Sequence, residues 1–207
     1  MPFGGSVTYG LASSDGNGYR KWLCEMLVSD GHAVQMVGSR RAGTMCNNDN
    51  EGWRGFRIDQ LQSKAKKATP LFLPNVVTIN AGSNDCIQDF EIHNIGKRIS
   101  DLLDIIWMAS PYSTIVMSTL LVNSDVNVES RILLANEQFR EVLKRKEAQK
   151  KKIVLVDMHS PHGPNVDELV DGTHPNDIGY YKMAGIWRKG VQNAISSGFV
   201  EEPQLYR

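Results

Sequence analysis

The sequence predicts an α/β fold in three layers, with a five-stranded parallel sheet between two layers of helices. Two observations carry that prediction. Short runs apolar on both faces, such as Val76-Val77-Thr78-Ile79 and Ile153-Val154-Leu155-Val156, alternate with amphipathic helical segments along the chain. Strands without a polar side belong to a sheet covered on both faces, and alternation with helices makes that sheet parallel. Polar, glycine-containing turns follow the strands, on the edge where such sheets place their ligands.

Met1-Pro2-Phe3 is a short apolar start that runs into Gly4-Gly5-Ser6. Tyr19 to Ser29 carries Trp22, Leu23, Met26 and Leu27 at helical spacing, and Asp30-Gly31 stops it. Ala33 to Val37 reads as a short strand, and Gly38 to Gly55, with Asn47-Asn48-Asp49-Asn50, as a long functional or mobile loop. A helix over Ile58–Ala68 precedes the strand Val76–Ile79, which ends in the polar turn Asn80-Ala81-Gly82-Ser83-Asn84-Asp85. Ile92, Ile95, Ile99, Leu102, Leu103 and Ile106 define one face of a helix between about Asp89 and Met108. Ile115-Val116-Met117 is a strand, Val128 to Gln149 a helix with Ile132, Ala135, Phe139 and Val142 inward, and Ile153–Val156 the last strand. The final helix begins after Pro175 with Ala184, Trp187, Val191 and Ala194 as its stripe, and the tail beyond Gly198 is irregular. The result is a flavodoxin-like sandwich forming one domain over residues 1–207.

Composition narrows the function classes. The net charge of zero gives no electrostatic reason to expect nucleic acid or an anionic membrane as partner, and a monomer is expected. Cys24, Cys46 and Cys86 lack metal-ligand spacing, and no run approaches the roughly 18 apolar residues of a membrane span. A first strand of three residues is short for an interior position, where about five are usual, so the expectation is a native chain that begins upstream of Met1.

Alone, the Ser6 turn is a weak signal, because Gly-Gly-Ser also makes ordinary loops. Its partners strengthen it. Nucleophilic acyl transfer from serine needs a base, a group that orients the base, and donors aimed at the oxyanion. Asp171-Gly172-Thr173-His174 supplies the first two, since a three-residue offset in a turn lets the carboxylate reach the imidazole Nδ1–H. Pro175 suits the first turn of the helix that follows. The oxyanion donors expected are the backbone N–H of Ser6, the Asn84 side-chain amide and the N–H of Gly55. Trp53, Arg54 and Tyr9 are candidate substrate contacts, although Trp53 and Phe56 could equally pack the long loop.

Gly4-Gly5-Ser6, Gly55, Gly82-Ser83-Asn84-Asp85 and Asp171-Gly172-Thr173-His174 resemble, in order, the four sequence blocks of the SGNH (GDSL) hydrolases. Within that superfamily, Phe3-Gly4-Gly5-Ser6, Val37-Gly38-Ser39-Arg40-Arg41, Glu51-Gly52-Trp53-Arg54-Gly55-Phe56 and Asp171-Gly172-Thr173-His174-Pro175-Asn176 look most like carbohydrate esterase family 3. The resemblance implies a secreted, cofactor-free serine esterase that removes acetyl groups from xylan or related sugars. It also implies an aspartate where this chain has Gly5, one that holds the serine loop by hydrogen bonding. Thr8 or another neighbour is expected to take that role, with some loss of activity.

Other readings stay open at this point. A lipid or thioester hydrolase would show a different dependence on acyl length, and a carbohydrate-binding descendant would bind sugar without turnover. Asp85 is expected to cap the segment after it. Asp157, His159, His162 and Asp167 have the residue types of a zinc site, but Pro161 makes their segment a loop, no glutamate is placed as a base, and surface histidines are expected with no metal. Lys144-Arg145-Lys146 and Lys150-Lys151-Lys152 sit at a helix C-terminus without interleaved aromatics, which reads as a solvated helix end.

Overall fold

The structure, a computed structural model, describes residues 1–204 and consists of one mixed sheet with helices on both faces. The part of the irregular tail at 205–207 lies outside the described residues, and residues 199–204 carry no regular element. The sheet is built from β1 (Pro2–Gly4), β2 (Arg40–Arg41), β3 (Asp49–Gly52), β4 (Val76–Asn80), β5 (Thr114–Ser118) and β6 (Ile153–Val156), in the order β2-β3-β1-β4-β5-β6. All pairs are parallel except β2 on β3. The five parallel strands therefore follow the flavodoxin-like order 2-1-3-4-5, and the chain reverses its winding at β1.

The expected strand at Ala33–Val37 does not form. Both edges of β1 are already occupied, one by β3 and the other by β4, so the segment has no strand to join. The Asn47 side chain takes the place of a partner strand, accepting from the Met36 N–H and donating to its carbonyl. The fifth parallel strand is instead Asp49–Gly52, within the stretch read as a loop. Its residues are polar yet buried from Asn50 to Gly52, which is tolerable because they are hydrogen-bonded. The Asn50 amide donates to the Asn48 carbonyl and accepts from the Gly52 N–H, while the Glu51 carboxylate accepts from the Ser39 N–H and the Trp53 indole N–H.

Among the described residues there are seven α-helices: α1 (Ser6–Tyr9), α2 (Tyr19–Ser29), α3 (Ile58–Phe72), α4 (Ser83–Ile87), α5 (Ile95–Ala109), α6 (Val126–Ala148) and α7 (Asp177–Ser196). α3, α5 and α6 pack on one face around Phe3, Ile79 and Met117; α2 and α7 pack on the other around Val116 and Val156. The predicted stripes of α5, α6 and α7 are buried, as are Leu23 and Leu27 of α2, whereas Trp22 and Met26 are only half-buried. α3 runs past Ala68 through Pro70. α5 begins later than Asp89, because Asp89 and Glu91 adopt φ of 49° and 43°, outside the helical region. The side chain of Asn176 caps α7 by accepting from the Gly179 N–H, so Pro175 stands before the cap and not in the first turn. No helix among the described residues is long and apolar enough to cross a membrane.

Candidate active site

The turns after β1, β3 and β4 and the long connection after β6 meet at the carboxyl edge of the parallel strands. Gly4 ends β1 with φ of +154°, and a Cβ there would lie 2.0 Å from the Asn80 carbonyl oxygen, so only glycine passes between β1 and β4 at this point. The chain then turns directly into α1, which Ser6 opens. Backbone bonds fix this turn: the Trp53 N–H donates to the Gly4 carbonyl at 2.8 Å, and the Gly5 N–H to the Asn80 carbonyl at 3.3 Å. Thr8 contributes only a long contact, its hydroxyl donating to the Phe3 carbonyl at 3.4 Å. Gly5 itself has φ of −90°, which any residue adopts, and an added Cβ would approach the Asn84 amide nitrogen no closer than 3.4 Å.

Ser6, His174 and Asp171 form a continuous relay. Ser6 Oγ lies 2.7 Å from His174 Nε2, and His174 Nδ1 lies 2.7 Å from Asp171 Oδ2. With the carboxylate on Nδ1, the imidazole carries its proton there, and Nε2 is left to accept from the serine hydroxyl. Asp171 Oδ1 also accepts from the backbone N–H groups of Thr173 and His174, at 3.1 and 2.9 Å, which fixes the turn that presents the imidazole. Burial pushes the Asp171 carboxyl up, but the hydrogen bonds from the His174 N–H and ring and from the Thr173 N–H outweigh it and hold the group below the usual carboxylate range. A second layer steadies the same turn. The Asn123 amide donates to Thr173 Oγ1 at 2.9 Å, and the Ser124 N–H to the Gly172 carbonyl at 3.0 Å.

A cavity of about 10 Å³ sits beside Ser6, lined by Gly5, Ser6, Val7, Phe56 and the segment Asn80–Asn84. Space of that order holds one water-sized group. Asn84 faces it and donates from Nδ2 to the Phe56 carbonyl at 3.1 Å, which occupies one amide hydrogen and leaves the other. The backbone N–H groups of Ser6 and Gly55 donate to no acceptor among the described residues. Gly55 has φ of +77°, is exposed, and does not line the cavity. The structure thus brings Ser6 and Asn84 together directly and sets Gly55 at their margin. Asp85 does something other than cap the segment after it. It accepts from the N–H of Ile58, the first residue of α3, and from Arg98, so it joins α3, α4 and α5 in the layer behind Asn84.

Trp53 is half-buried and packs against the core with Phe56, their ring centres 5.5 Å apart. Arg54 is exposed and stacks at 5.9 Å over Tyr9. Sequence reasoning did not single out Arg20. This side chain is fully buried, and its five hydrogen bonds go to the carbonyls of Thr8, Tyr9, Gly16, Ala42 and Asn48. A cation within the mostly apolar inner face of α2 was the available signal.

The side chains of the histidine-rich turn after β6 are engaged by groups outside the relay. Asp157 is engaged by Thr119 and Arg140, and His159 Nε2 lies 2.6 Å from Glu129. Among the described residues, no three His, Cys, Asp or Glu side chains converge as a metal site would require. The basic end of α6 is not wholly solvated: Lys146 is buried and ion-paired with Asp104 of α5 at 2.6 Å. Its stem packs while its head reaches the acid.

A model of the GDSL-like lipase/acylhydrolase family matches residues 3–182. The chain is 26% identical to a multidomain esterase from Ruminococcus flavefaciens, over 95% of this chain and 29% of that protein, so it spans less than a third of that relative. A family 3 carbohydrate esterase from Clostridium thermocellum superposes with a TM-score of 0.84 at 25% identity, covering 95% of this chain and 96% of that one. A carbohydrate esterase family 3 structure from Talaromyces cellulolyticus superposes with a TM-score of 0.82 at 20% identity, covering 95% and 97%.

Proposed function

Because the chain belongs to the GDSL-like lipase/acylhydrolase family, we propose that it is a serine esterase that removes short acyl groups, foremost acetyl, from carbohydrates such as acetylated xylan. The observation that carries this reading is the unbroken relay Ser6–His174–Asp171, with both contacts at 2.7 Å.

Ser6 Oγ attacks the ester carbonyl as His174 Nε2 takes the hydroxyl proton. The negative charge that develops on the carbonyl oxygen is met by the free hydrogen of the Asn84 amide and the N–H groups of Ser6 and Gly55. His174 then returns the proton to the leaving sugar oxygen, and the acyl group stays on Ser6. Water gives its proton to His174 and attacks the acyl carbon; the carboxylic acid leaves as Ser6 recovers its proton. Asp171 stays ionised and stabilises the imidazolium. The small cavity beside Ser6 has room for the carbonyl oxygen of a bound ester, and the likeness to family 3 carbohydrate esterases supports acetyl over the longer chains of a lipid or thioester substrate.

The test is a pre-steady-state comparison of p-nitrophenyl acetate with the butyrate. The expected result is a burst of one nitrophenolate per protein with the acetate, and a steep loss of rate with the butyrate. Equal rates on both would remove the acetyl preference. Asn84→Ala should lower kcat by about a hundredfold to a thousandfold while KM changes little, since that donor serves the transition state more than the bound substrate. A change confined to KM would place Asn84 in binding instead.

A further inference from the structure

The rim next to Ser6 carries more positive charge than its own acids neutralise. The Arg40 guanidinium carbon lies 4.6 Å from the ring centre of Trp53 and 5.7 Å from that of Tyr9. Arg54 stands 5.9 Å from the Tyr9 ring, and Lys64 Nζ 4.0 Å from Trp53. Tyr9 closes the single helical turn that Ser6 opens, and Arg54 adjoins Gly55. Neighbouring cations have acid partners, Arg41 on Asp49 and Arg57 on Asp59, but Arg40, Arg54 and Lys64 form no ion pair among the described residues. The remaining acid here, Glu51, spends its two oxygens on the Ser39 N–H and the Trp53 indole N–H. A guanidinium stacked on a ring uses its face and keeps the N–H edge, the part that grips a carboxylate with two parallel bonds.

We propose that this rim, with Arg40 and Arg54 at its centre, recognises a carboxylate on the substrate, so that the preferred ester is an acetyl group on an oligosaccharide containing uronic acid units. The proposal rests on the reading of Ser6 as the nucleophile of a sugar esterase and adds to it the class of sugar. Tyr9 stands three residues beyond Ser6 on one turn of helix, about 4.5 Å of rise, and Arg40 and Arg54 lie beyond its ring, which suits an acetylated ring and its charged neighbour.

The experiment compares an acetylated oligogalacturonide with its carboxamide counterpart, which keeps the shape and removes the charge. At low salt kcat/KM should be roughly tenfold higher for the acid, with the gap narrowing as ionic strength rises. Arg40→Gln and Arg54→Gln should each shrink the ratio of acid to amide. The same pair is titrated by calorimetry against Ser6→Ala protein, where the acid should bind roughly tenfold tighter whether or not turnover occurs. Equal constants for acid and amide on the parent protein, or a gap that neither salt nor either substitution moves, would overturn the proposal. Absence of a p-nitrophenyl acetate burst with the binding preference intact would instead strike only the esterase reading.

Discussion

Ser6→Ala should lose on the order of ten-thousandfold or more in kcat on an acetyl ester, with little change in substrate binding or stability. The reason is geometric. In the proposed mechanism the hydroxyl oxygen is the atom of the relay that bonds to the acyl group, and its partner His174 Nε2 stands 2.7 Å away with the Asp171 carboxylate behind it. Groups that act as one unit do not add their effects. The double variant Ser6→Ala/His174→Ala should therefore be scarcely slower than either single variant. Strictly multiplicative losses in a steady-state assay would show two independent contributions and break the relay apart. The pH dependence has a definite sign as well. Asp171 is held below the usual carboxylate range, so it remains the ionised partner of His174 as pH falls through that range, and activity lost through protonation of Asp171 is expected only below it.

Arg20→Met should lower the free energy of unfolding by about 3–5 kcal/mol. Methionine matches the volume of the stem and removes all donors, which leaves the carbonyls of Thr8, Tyr9, Gly16 and Ala42 without the guanidinium, while that of Asn48 keeps the Asn50 amide. Two of them, of Thr8 and Tyr9, belong to the helix that Ser6 opens; those of Ala42 and Asn48 belong to the loop that leads into β3. The cation thus ties the serine turn to the polar edge of the sheet. In a chain of this size each kcal/mol moves the midpoint by roughly 2–4 °C, so thermal unfolding should begin about ten degrees lower. A denaturant midpoint within the error of the parent would mean that water replaces the guanidinium at no loss.

Arg20 also marks where the sequence stops being legible. Four parallel strands and the long helices are readable because apolar periodicity is the signature of burial, and the buried stripes of α5, α6 and α7 bear that out. Asp49–Gly52 carries no such signature: it is buried by hydrogen bonding within the Asn-rich stretch, and polar strands of that kind look like loops. The reverse error at Ala33–Val37 has the same root, since a run with strand composition becomes a strand only where an open sheet edge awaits it, and Asn47 supplies the bonds in its place. At the site, the Asp171/His174 pair is legible from spacing alone because its contact is local. The approach of Ser6 to His174 spans 168 residues and follows only from placing both on one sheet edge. The Arg40 rim was invisible for a related reason: its meaning lies in which cations lack partners, and partners are assigned by the fold.

The central claim, that Ser6 carries the acyl group during turnover, is tested most directly by acid quench during turnover of an acetyl ester, followed by peptide mass spectrometry. One acetyl group is expected on the peptide that contains Phe3-Gly4-Gly5-Ser6, at Ser6, and none in Ser6→Ala protein. Acetyl on any other residue, or turnover that proceeds at full rate with Ser6 never modified, would contradict it.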